Sequence, residues 1–215
     1  MRMQLLCVGA LLLVGTATAQ TPSTPDLHLR GDRFRPLTYG ELNPEQKALA
    51  DHVLAGERAS LSGPYNVFLR SPKMADLAQQ LGAYLRYHSA LPDDLQQLGI
   101  LITARYWTAQ FEWYSHHDLA IKSGISQKMI DELAAGKRPS TMTPEQSVTY
   151  DFCTEILKTT QVSDATFRAA VEKLGEQKVV DLIGLMGYYD LVSMILNTDR
   201  YPLPNGEPLP LKPLH

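Results

Sequence analysis

The chain has 215 residues, of which 44% are hydrophobic and 20% are charged. This length and composition are typical of a folded protein with one good-sized domain or two small ones, and they exclude a disordered chain. The 20 Lys and Arg residues against 23 Asp and Glu leave a net charge of −3, which argues against the basic surface that binds nucleic acid.

The N-terminal residues 1–19 have the pattern of a secretory signal peptide. A positive start at Arg2 is followed by an apolar run over residues 5–15 and by small residues at Ala17 and Ala19. We expect cleavage after Ala19 and export to the periplasm or the medium; an uncleaved anchor is the alternative. The apolar run is too short to span a bilayer as a mature helix, and no later segment is expected to span one.

Cysteine and histidine usage argues against two kinds of site. Cleavage would leave Cys153 as the one cysteine, so an intramolecular disulfide would not form. Cys153 lies among apolar residues in a helical pattern, which indicates a buried, unreactive thiol. The cysteines and histidines of the sequence do not have the spacing of metal ligands, so no metal is expected.

The rest of the chain predicts an all-α domain. After an extended arm over residues 20–41, helix starts are marked at Asn43 and Thr143, each followed by proline. Five prolines in residues 201–215 exclude a regular element there and predict a tail that lies over the surface or reaches a neighbour. We expect a single-domain helical bundle over residues 42–200. Its helices, about seven in number, are predicted over residues 44–58, 71–88, 91–118, 126–136, 143–158, 163–175 and 176–198.

The most informative motif lies in the long predicted helix over residues 91–118. Glu112 and His116 are one helical turn apart and share a face. A carboxylate there can hold the tautomer of the imidazole and raise its basicity, as a proton-transfer site requires. Arg105 lies seven positions before Glu112, nearly on the same line of a continuous helix. One stripe would then carry a cation, a carboxylate and a histidine; a purely structural ion pair is the alternative.

Two other segments carry candidate polar groups. The loop over residues 61–70 holds Asn66 and Arg70, and it either closes over a pocket or simply connects two helices. Tyr188 lies in the last and most apolar helix. Its hydroxyl either lines a polar cavity or is satisfied within the core.

Four segments, taken together, are similar to a known family. They are residues 63–72 (GPYNVFLRSP), 98–107 (LGILITARYW), 109–116 (AQFEWYSH) and 187–197 (GYYDLVSMILN). In combination they resemble the carboxymuconolactone decarboxylase family of the alkylhydroperoxidase D-like superfamily, over most of the chain from about residue 42 to residue 197. The resemblance implies an all-α fold that assembles as a trimer or hexamer.

The peroxidase branch of that superfamily carries the motif Glu-x11-Cys-x2-Cys-x3-His. With its histidine on His116, the motif puts its two cysteines on Ala109 and Glu112 and its glutamate on Gln97. Both thiols are absent, so the peroxide chemistry of that branch has neither a nucleophile nor a resolving sulfur here. The decarboxylase branch is more similar, because it also has Glu-x3-His.

The resemblance implies a decarboxylase without metal or organic cofactor, acting on a carboxylated lactone or a similar enolisable acid. Its partners would be this small carboxylate and further copies of the chain, but no nucleic acid and, after signal cleavage, no membrane. The alternatives are a peroxidase-like antioxidant protein and a non-catalytic exported oligomer that binds a small acid. The residues expected to form the site are His116 as general acid, Glu112 orienting it, Arg105 or Arg70 on the substrate carboxylate, and Tyr188 or Asn66 on the developing oxyanion.

Overall fold

Nine α-helices, joined by short connections, run from Pro44 to Asp199. The structure is a computed structural model that describes residues 25–214, so the predicted signal peptide and residues 20–24 of the arm lie outside it. Over the described residues every regular element is helical, which confirms the all-α fold. The helices are α1 (Pro44–Ala55), α2 (Tyr65–Phe68), α3 (Pro72–Ala83), α4 (Asp93–Trp107), α5 (Gln110–Lys122), α6 (Gln127–Ala134), α7 (Pro144–Thr159), α8 (Asp164–Leu174) and α9 (Glu176–Asp199).

The starts of α1 and α7 follow the capping signals of the sequence. The side chain of Asn43 accepts a hydrogen bond from the backbone N–H of Gln46 at 2.9 Å, and the side chain of Gln46 accepts one from the N–H of Asn43 at 2.9 Å. Thr143 and Gln146 form the same reciprocal pair before α7. Each pair satisfies donors that a helix N-terminus otherwise leaves free, so both helices begin where predicted.

Helix α4 lies at the centre of the domain, where it packs against α5, α7 and α9. Every residue from Leu95 to Arg105 is buried. Gly99 lets α9 approach closely, because a Cβ there would lie 3.1 Å from a methyl carbon of Leu182. Polar side chains on α4, such as that of Gln97, therefore point at neighbouring helices or cavities and not at bulk water.

The long helix predicted over residues 91–118 is in fact two helices. Thr108 has φ +49°, in the left-handed region, and ends α4. Side chains of α9 stabilise the break: Asp190 accepts a hydrogen bond from the Trp107 indole at 2.6 Å, and Asn197 donates one to the Trp107 carbonyl at 2.9 Å. The continuous stripe from Arg105 onward is therefore absent, and the prediction of one helix here is wrong.

A further helix and an irregular turn lie near the N-terminal part of the bundle. The segment predicted as a loop over residues 61–70 contains α2, whose Tyr65 and Phe68 rings are buried and meet edge to face at 5.6 Å. Together with the break at Thr108, α2 raises the number of helices from about seven to nine. Helix α3 continues into a π-helical turn over Tyr84–His88, a distortion that is frequent at functional sites.

The arm and the tail are tied to the helices by specific hydrogen bonds. The carboxylate of Asp199, at the end of α9, accepts from the backbone N–H groups of Arg33 at 3.0 Å and Phe34 at 2.7 Å. In the tail, the backbone of Leu211 exchanges two hydrogen bonds with the side chain of Gln110, at 2.8 and 2.9 Å. The tail thus lies over the surface of the domain, which is one of its two predicted placements.

Helix α9 is long and apolar enough to cross a membrane by length and composition alone, with a mean hydropathy of 1.6 over an 18-residue window. This differs from the expectation that no segment after residue 19 could span a bilayer. However, 56% of that window is buried inside the protein, and α9 packs against the central helix α4. The place of α9 in the core therefore explains its buried apolar residues, whereas Val180, Ile183 and Met194 stay exposed.

Candidate active site

Glu112 and His116 lie on α5 and form a buried pair. Oε1 of Glu112 is 3.0 Å from Nε2 of His116, and only 6% and 5% of the two side chains are exposed. The other ring nitrogen, Nδ1, lies 2.8 Å from Oε1 of Gln97 on α4. The structure therefore contains the Glu112–His116 pair that the spacing predicts. Gln97 is bonded to the same imidazole and extends the pair to a group of three.

The position of Gln97 determines where the protons of this group lie. Its amide oxygen only accepts hydrogen bonds, so Nδ1 of His116 carries a hydrogen and donates it. Nε2 lies 3.0 Å from Oε1 of Glu112, so a hydrogen on this nitrogen would be donated to the carboxylate. A proton that can be released at Nε2 is what general acid catalysis requires.

The pair lines a cavity of about 250 Å³. This is slightly below the ~300–1,000 Å³ typical of ligand pockets, so the cavity suits a small molecule. Helices α5 and α9 form two of its walls, and the loop after α1 and the π-helical turn form the others. Its polar lining includes Arg58, Arg86, Glu112, His116, Tyr188 and Tyr189.

Two arginines that no sequence motif indicated line this cavity, Arg58 and Arg86. Arg58 is held by its own loop, where it donates to the backbone carbonyls of Ser60 at 3.0 Å and Ser62 at 2.7 Å. Arg86 lies on the π-helical turn with its guanidinium over the Tyr87 ring, 5.3 Å from the ring centroid. Within residues 25–214 it donates no side-chain hydrogen bond, so its donors are available to a bound anion.

The surroundings keep Arg86 charged and the cavity tyrosines neutral. Burial lowers the pKa of Arg86, but the phenols around it and the Glu112 carboxylate raise it, and the net shift in its pKa is upward. Burial raises the pKa of the Tyr188 and Tyr189 phenols. At neutral pH the cavity therefore combines a fixed positive charge with two protonated hydroxyl groups.

Tyr188 and Tyr189 form the α9 wall of the cavity. The Tyr189 ring meets the His116 imidazole edge to face at 5.2 Å, and Tyr188 meets Tyr189 in the same way at 5.3 Å. Gly82 makes room for Tyr188, because a Cβ at Gly82 would lie 2.4 Å from the Tyr188 hydroxyl. Neither phenol hydroxyl is hydrogen-bonded to another described residue, so Tyr188 remains a candidate donor to a ligand.

Arg105 does not line this cavity, contrary to the sequence analysis. Its Nη2 donates to the backbone carbonyl of Lys212 at 2.9 Å, and its side chain lines a different cavity. The physical reason is the break at Thr108. Because α4 and α5 are separate helices, the side chains of Arg105 and Glu112 do not lie on one helical face. The predicted stripe of cation, carboxylate and histidine is therefore wrong, and the cations at the pair come from other elements.

Asn66 and Arg70 hold the N-terminal arm and do not line the cavity of His116. Nδ2 of Asn66 donates to the Phe34 carbonyl at 2.6 Å and to the Asp199 carboxylate at 3.0 Å. Arg70 donates to the backbone carbonyls of Asn66 and Arg35. Because these donors are used within the fold, neither Asn66 nor Arg70 reaches the cavity of His116, although Ser62, Gly63 and Pro64 of the same segment line it.

Among the site residues that were not predicted, only Gln97 has a signal in the sequence. Gln97 occupies the position of the glutamate in the peroxidase motif, whereas Arg58 and Arg86 reach the cavity from segments that share no motif with α5.

Among the residues that the structure describes, no group of three or more His, Cys, Asp or Glu side chains could hold a metal ion.

No protein-family model matches the chain, and no curated protein matches it. Solved structures do match. The alkylhydroperoxidase AhpD core of an uncharacterized peroxidase-related protein from Ralstonia eutropha has a TM-score of 0.66 at 13% identity, over 80% of this chain and 92% of that one. An uncharacterized peroxidase-related protein from Silicibacter sp. has a TM-score of 0.63 at 11% identity, over 87% and 95% of the two chains.

A third match is a protein of unknown function from Agrobacterium tumefaciens, described as a candidate AhpD antioxidant defence protein. Its TM-score is 0.56 at 13% identity, over 66% of this chain and 99% of that one. Identities this low establish the fold alone. The chain therefore has the all-α fold of these AhpD-like structures, and the resemblance seen in the sequence is confirmed at the level of the fold.

Proposed function

We propose that this protein is a cofactor-free, decarboxylase-like enzyme that acts on a small carboxylated lactone or a similar enolisable acid. The observation that carries the proposal is the buried group of Gln97, His116 and Glu112, because His116 and Glu112 line the same cavity as the free guanidinium of Arg86. This arrangement combines a proton donor with a binding site for an anion, and both are needed to protonate a carbanion formed from an acid.

In the proposed reaction, the bond between a substrate carbon and its leaving carboxylate breaks and CO2 departs. The electron pair stays on the substrate as an enolate. The His116 imidazolium then transfers its Nε2 proton to carbon, and the neutral imidazole, still oriented by Gln97 and Glu112, regains a proton from solvent. Arg86 pairs with a second carboxylate that the substrate retains, and the Tyr188 hydroxyl donates to the enolate oxygen. Arg86 thus takes the role first expected of Arg105.

The test is CO2 release from a panel of carboxylated lactones and 3-oxo acids. We expect His116→Ala to lower kcat by about 10²–10⁴-fold, the usual contribution of a general acid. The matched control is His117→Ala, because His117 lies next to His116 but its ring pairs with the exposed Asp118. Equal kcat in the parent and in folded His116→Ala would remove His116 from the mechanism, and a panel without turnover would reject the decarboxylase.

A peroxidase-related antioxidant function is the second candidate, and the descriptions of the matching structures favour it. Thiol chemistry would have to use Cys153, the one cysteine of residues 25–214, which is fully buried. Burial raises the pKa of this thiol, so the thiolate that attacks a peroxide is disfavoured. We expect no peroxide consumption above background; consumption that Cys153→Ser abolishes would favour this candidate instead.

A non-catalytic exported protein that binds a small acid is the remaining alternative. It predicts that the same acids raise Tm by binding to the folded state without releasing CO2. Thermal shift and CO2 release measured on one set of acids separate the two functions, because only the enzyme turns its ligand over.

A further inference from the structure

A second cavity, of about 530 Å³, lies where α4, α6, α7 and the C-terminal tail meet. Over residues 25–214, it shares no lining residue with the cavity of His116. Its volume is within the range of pockets for small ligands. Arg105, which the catalytic proposal does not use, lies in its wall.

Arg105 is a buried cation with unpaired donors. Its exposed fraction is 5%, and Nη2 is bound to the Lys212 carbonyl. Nε and Nη1 are buried and have no hydrogen-bond partner among the described residues. A buried charge is unfavourable unless it is paired and hydrogen-bonded, so these two donors indicate a missing anion. Burial also lowers the pKa of Arg105, as expected of a cation without a counter-ion.

The rest of the lining specifies the kind of anion. Lys137 and Lys158 add positive charge, and among the described residues of the lining none has an acidic side chain. Ile102, Leu133 and Leu157 give the cavity an apolar wall. A site with clustered cations beside hydrocarbon suits an anion with an apolar body and disfavours a bare inorganic ion or a cation.

The C-terminal tail closes one side of this cavity. The two hydrogen bonds between Leu211 and Gln110 fix the tail beside Arg105. Leu214 then packs over Gly136, where a Cβ would lie 2.8 Å from a Leu214 methyl. Leu214 is itself 47% exposed, so the tail adds an apolar surface at the mouth of the cavity.

We propose that this second cavity is a binding site for a monocarboxylate with an aliphatic chain. Its carboxylate binds Arg105, with Lys137 and Lys158 nearby, and its chain lies along Ile102, Leu133 and Leu157. The site is independent of the catalytic proposal, because none of its residues takes part in the chemistry at His116.

The test is calorimetric titration of the purified protein with octanoate and, as the charge control, octylamine. We expect saturable binding of one octanoate and no binding of octylamine. Arg105→Gln should weaken octanoate binding by at least about tenfold, because a charge-assisted hydrogen bond is lost. Arg168→Gln is the matched control, since Arg168 is a 71% exposed arginine on α8 and should leave octanoate binding unchanged.

Two further measurements apply if Arg105→Gln does not fold. Lys158→Glu changes an exposed residue of the lining and should also weaken octanoate binding. Methyl NMR of the parent protein should show octanoate-induced shifts at Ile102, Leu133 and Leu157. Binding that is insensitive to Arg105 and Lys158, equal binding of octylamine, or methyl shifts centred on the His116 cavity would each overturn the proposal.

Discussion

A single amide determines what the His116 imidazole can do. If Gln97 were absent, Nδ1 of a ring that is 5% exposed would lack a partner. With Gln97 in place, Nδ1–H is satisfied, and Nε2 faces the Glu112 carboxylate at 3.0 Å. The ring therefore has one fixed hydrogen and one that it can transfer. Orientation by a neighbour of this kind is a common requirement of catalytic histidines.

Replacing Gln97 by Leu tests this orientation. We expect the free energy of unfolding to fall by about 1–3 kcal/mol, because a buried donor loses its acceptor. We also expect kcat to fall by at least about tenfold with a smaller change in KM, because a misplaced catalytic group slows the chemical step. Denaturant unfolding and steady-state kinetics measure the two effects.

The control for Gln97→Leu is Gln146→Leu. Both glutamines are 7% exposed, but the Gln146 side chain accepts from the Thr143 N–H at the start of α7 and donates to Asp94, so its hydrogen bonds do not involve His116 or Glu112. Gln146→Leu should lower stability and leave kcat unchanged. Unaltered kcat in Gln97→Leu, or an equal loss of kcat in both variants, would contradict the role of Gln97.

The shape of the catalytic cavity depends on a missing side chain at Gly82. Gly82→Ala brings a Cβ to 2.4 Å from the Tyr188 hydroxyl. The ring must move, so we expect a loss of about 1–3 kcal/mol of stability from overpacking, together with reduced activity. Gly40→Ala is the control, since nothing lies within 4 Å of its added Cβ. Thermal unfolding of both variants measures the loss of stability. Equal Tm values for Gly82→Ala and Gly40→Ala would show that Tyr188 is not packed tightly against Gly82.

Residue spacing alone identified part of the site. Glu112 and His116 follow from helical periodicity, because the contact is local to α5. Arg58 and Arg86 depend on how the loop after α1 and the π-helical turn pack against α9. Tertiary packing of this kind leaves no periodic signal in one sequence. Their role as cations at the cavity therefore emerges only from the fold.

At the scale of elements, the break between α4 and α5 has the largest effect on the site. Sequence periodicity predicted a continuous helix, because Trp107 and Thr108 are neither glycine nor proline and carry no stop signal. The left-handed Thr108 costs about 1–2 kcal/mol of backbone strain. This strain is offset by the hydrogen bonds between Trp107 and the side chains of Asp190 and Asn197 on α9. Such tertiary contacts leave no local pattern in the sequence.

Asp190→Asn tests this tertiary contact. Burial raises the pKa of Asp190 above its usual 3.8. A carboxyl group whose pKa is raised by folding contributes stability at low pH that is lost as the pH rises through the folded-state pKa. Asparagine keeps a hydrogen-bond acceptor without the charge. We therefore expect the variant to be more stable at pH 7, by less than about 1 kcal/mol because Asp190 is only half-buried.

The gain from Asp190→Asn should disappear below about pH 3.8, where the parent carboxyl is also neutral in both states. Urea unfolding between pH 3 and 7 measures the difference. Asp118→Asn, at an 84% exposed carboxylate, should show no comparable pH-dependent gain. A stabilisation by Asp190→Asn that is the same at pH 3 and pH 7 would contradict the assignment to a buried charge.

At the scale of the whole molecule, export and assembly stay predictions. The predicted signal peptide lies outside the described residues, and if the prediction holds, N-terminal sequencing of the mature protein begins at Gln20. Exposed apolar residues on α9 favour assembly. Val180 and Ile183 are 65% and 47% exposed, and Met194 is 43% exposed. These residues recur at helical spacing on one side, which is typical of an apolar stripe that another surface covers.

Light scattering of the purified protein tests assembly directly. We expect a mass of three or six chains, and we expect the double change Val180→Glu and Ile183→Glu to reduce it to one chain, because two charges cannot be buried unpaired in an interface. Phe167→Glu is the control, since Phe167 is a 50% exposed apolar residue on a different helix, α8. A parent protein with the mass of one chain, or an assembly that survives both changes on α9, would show that the stripe is not the interface.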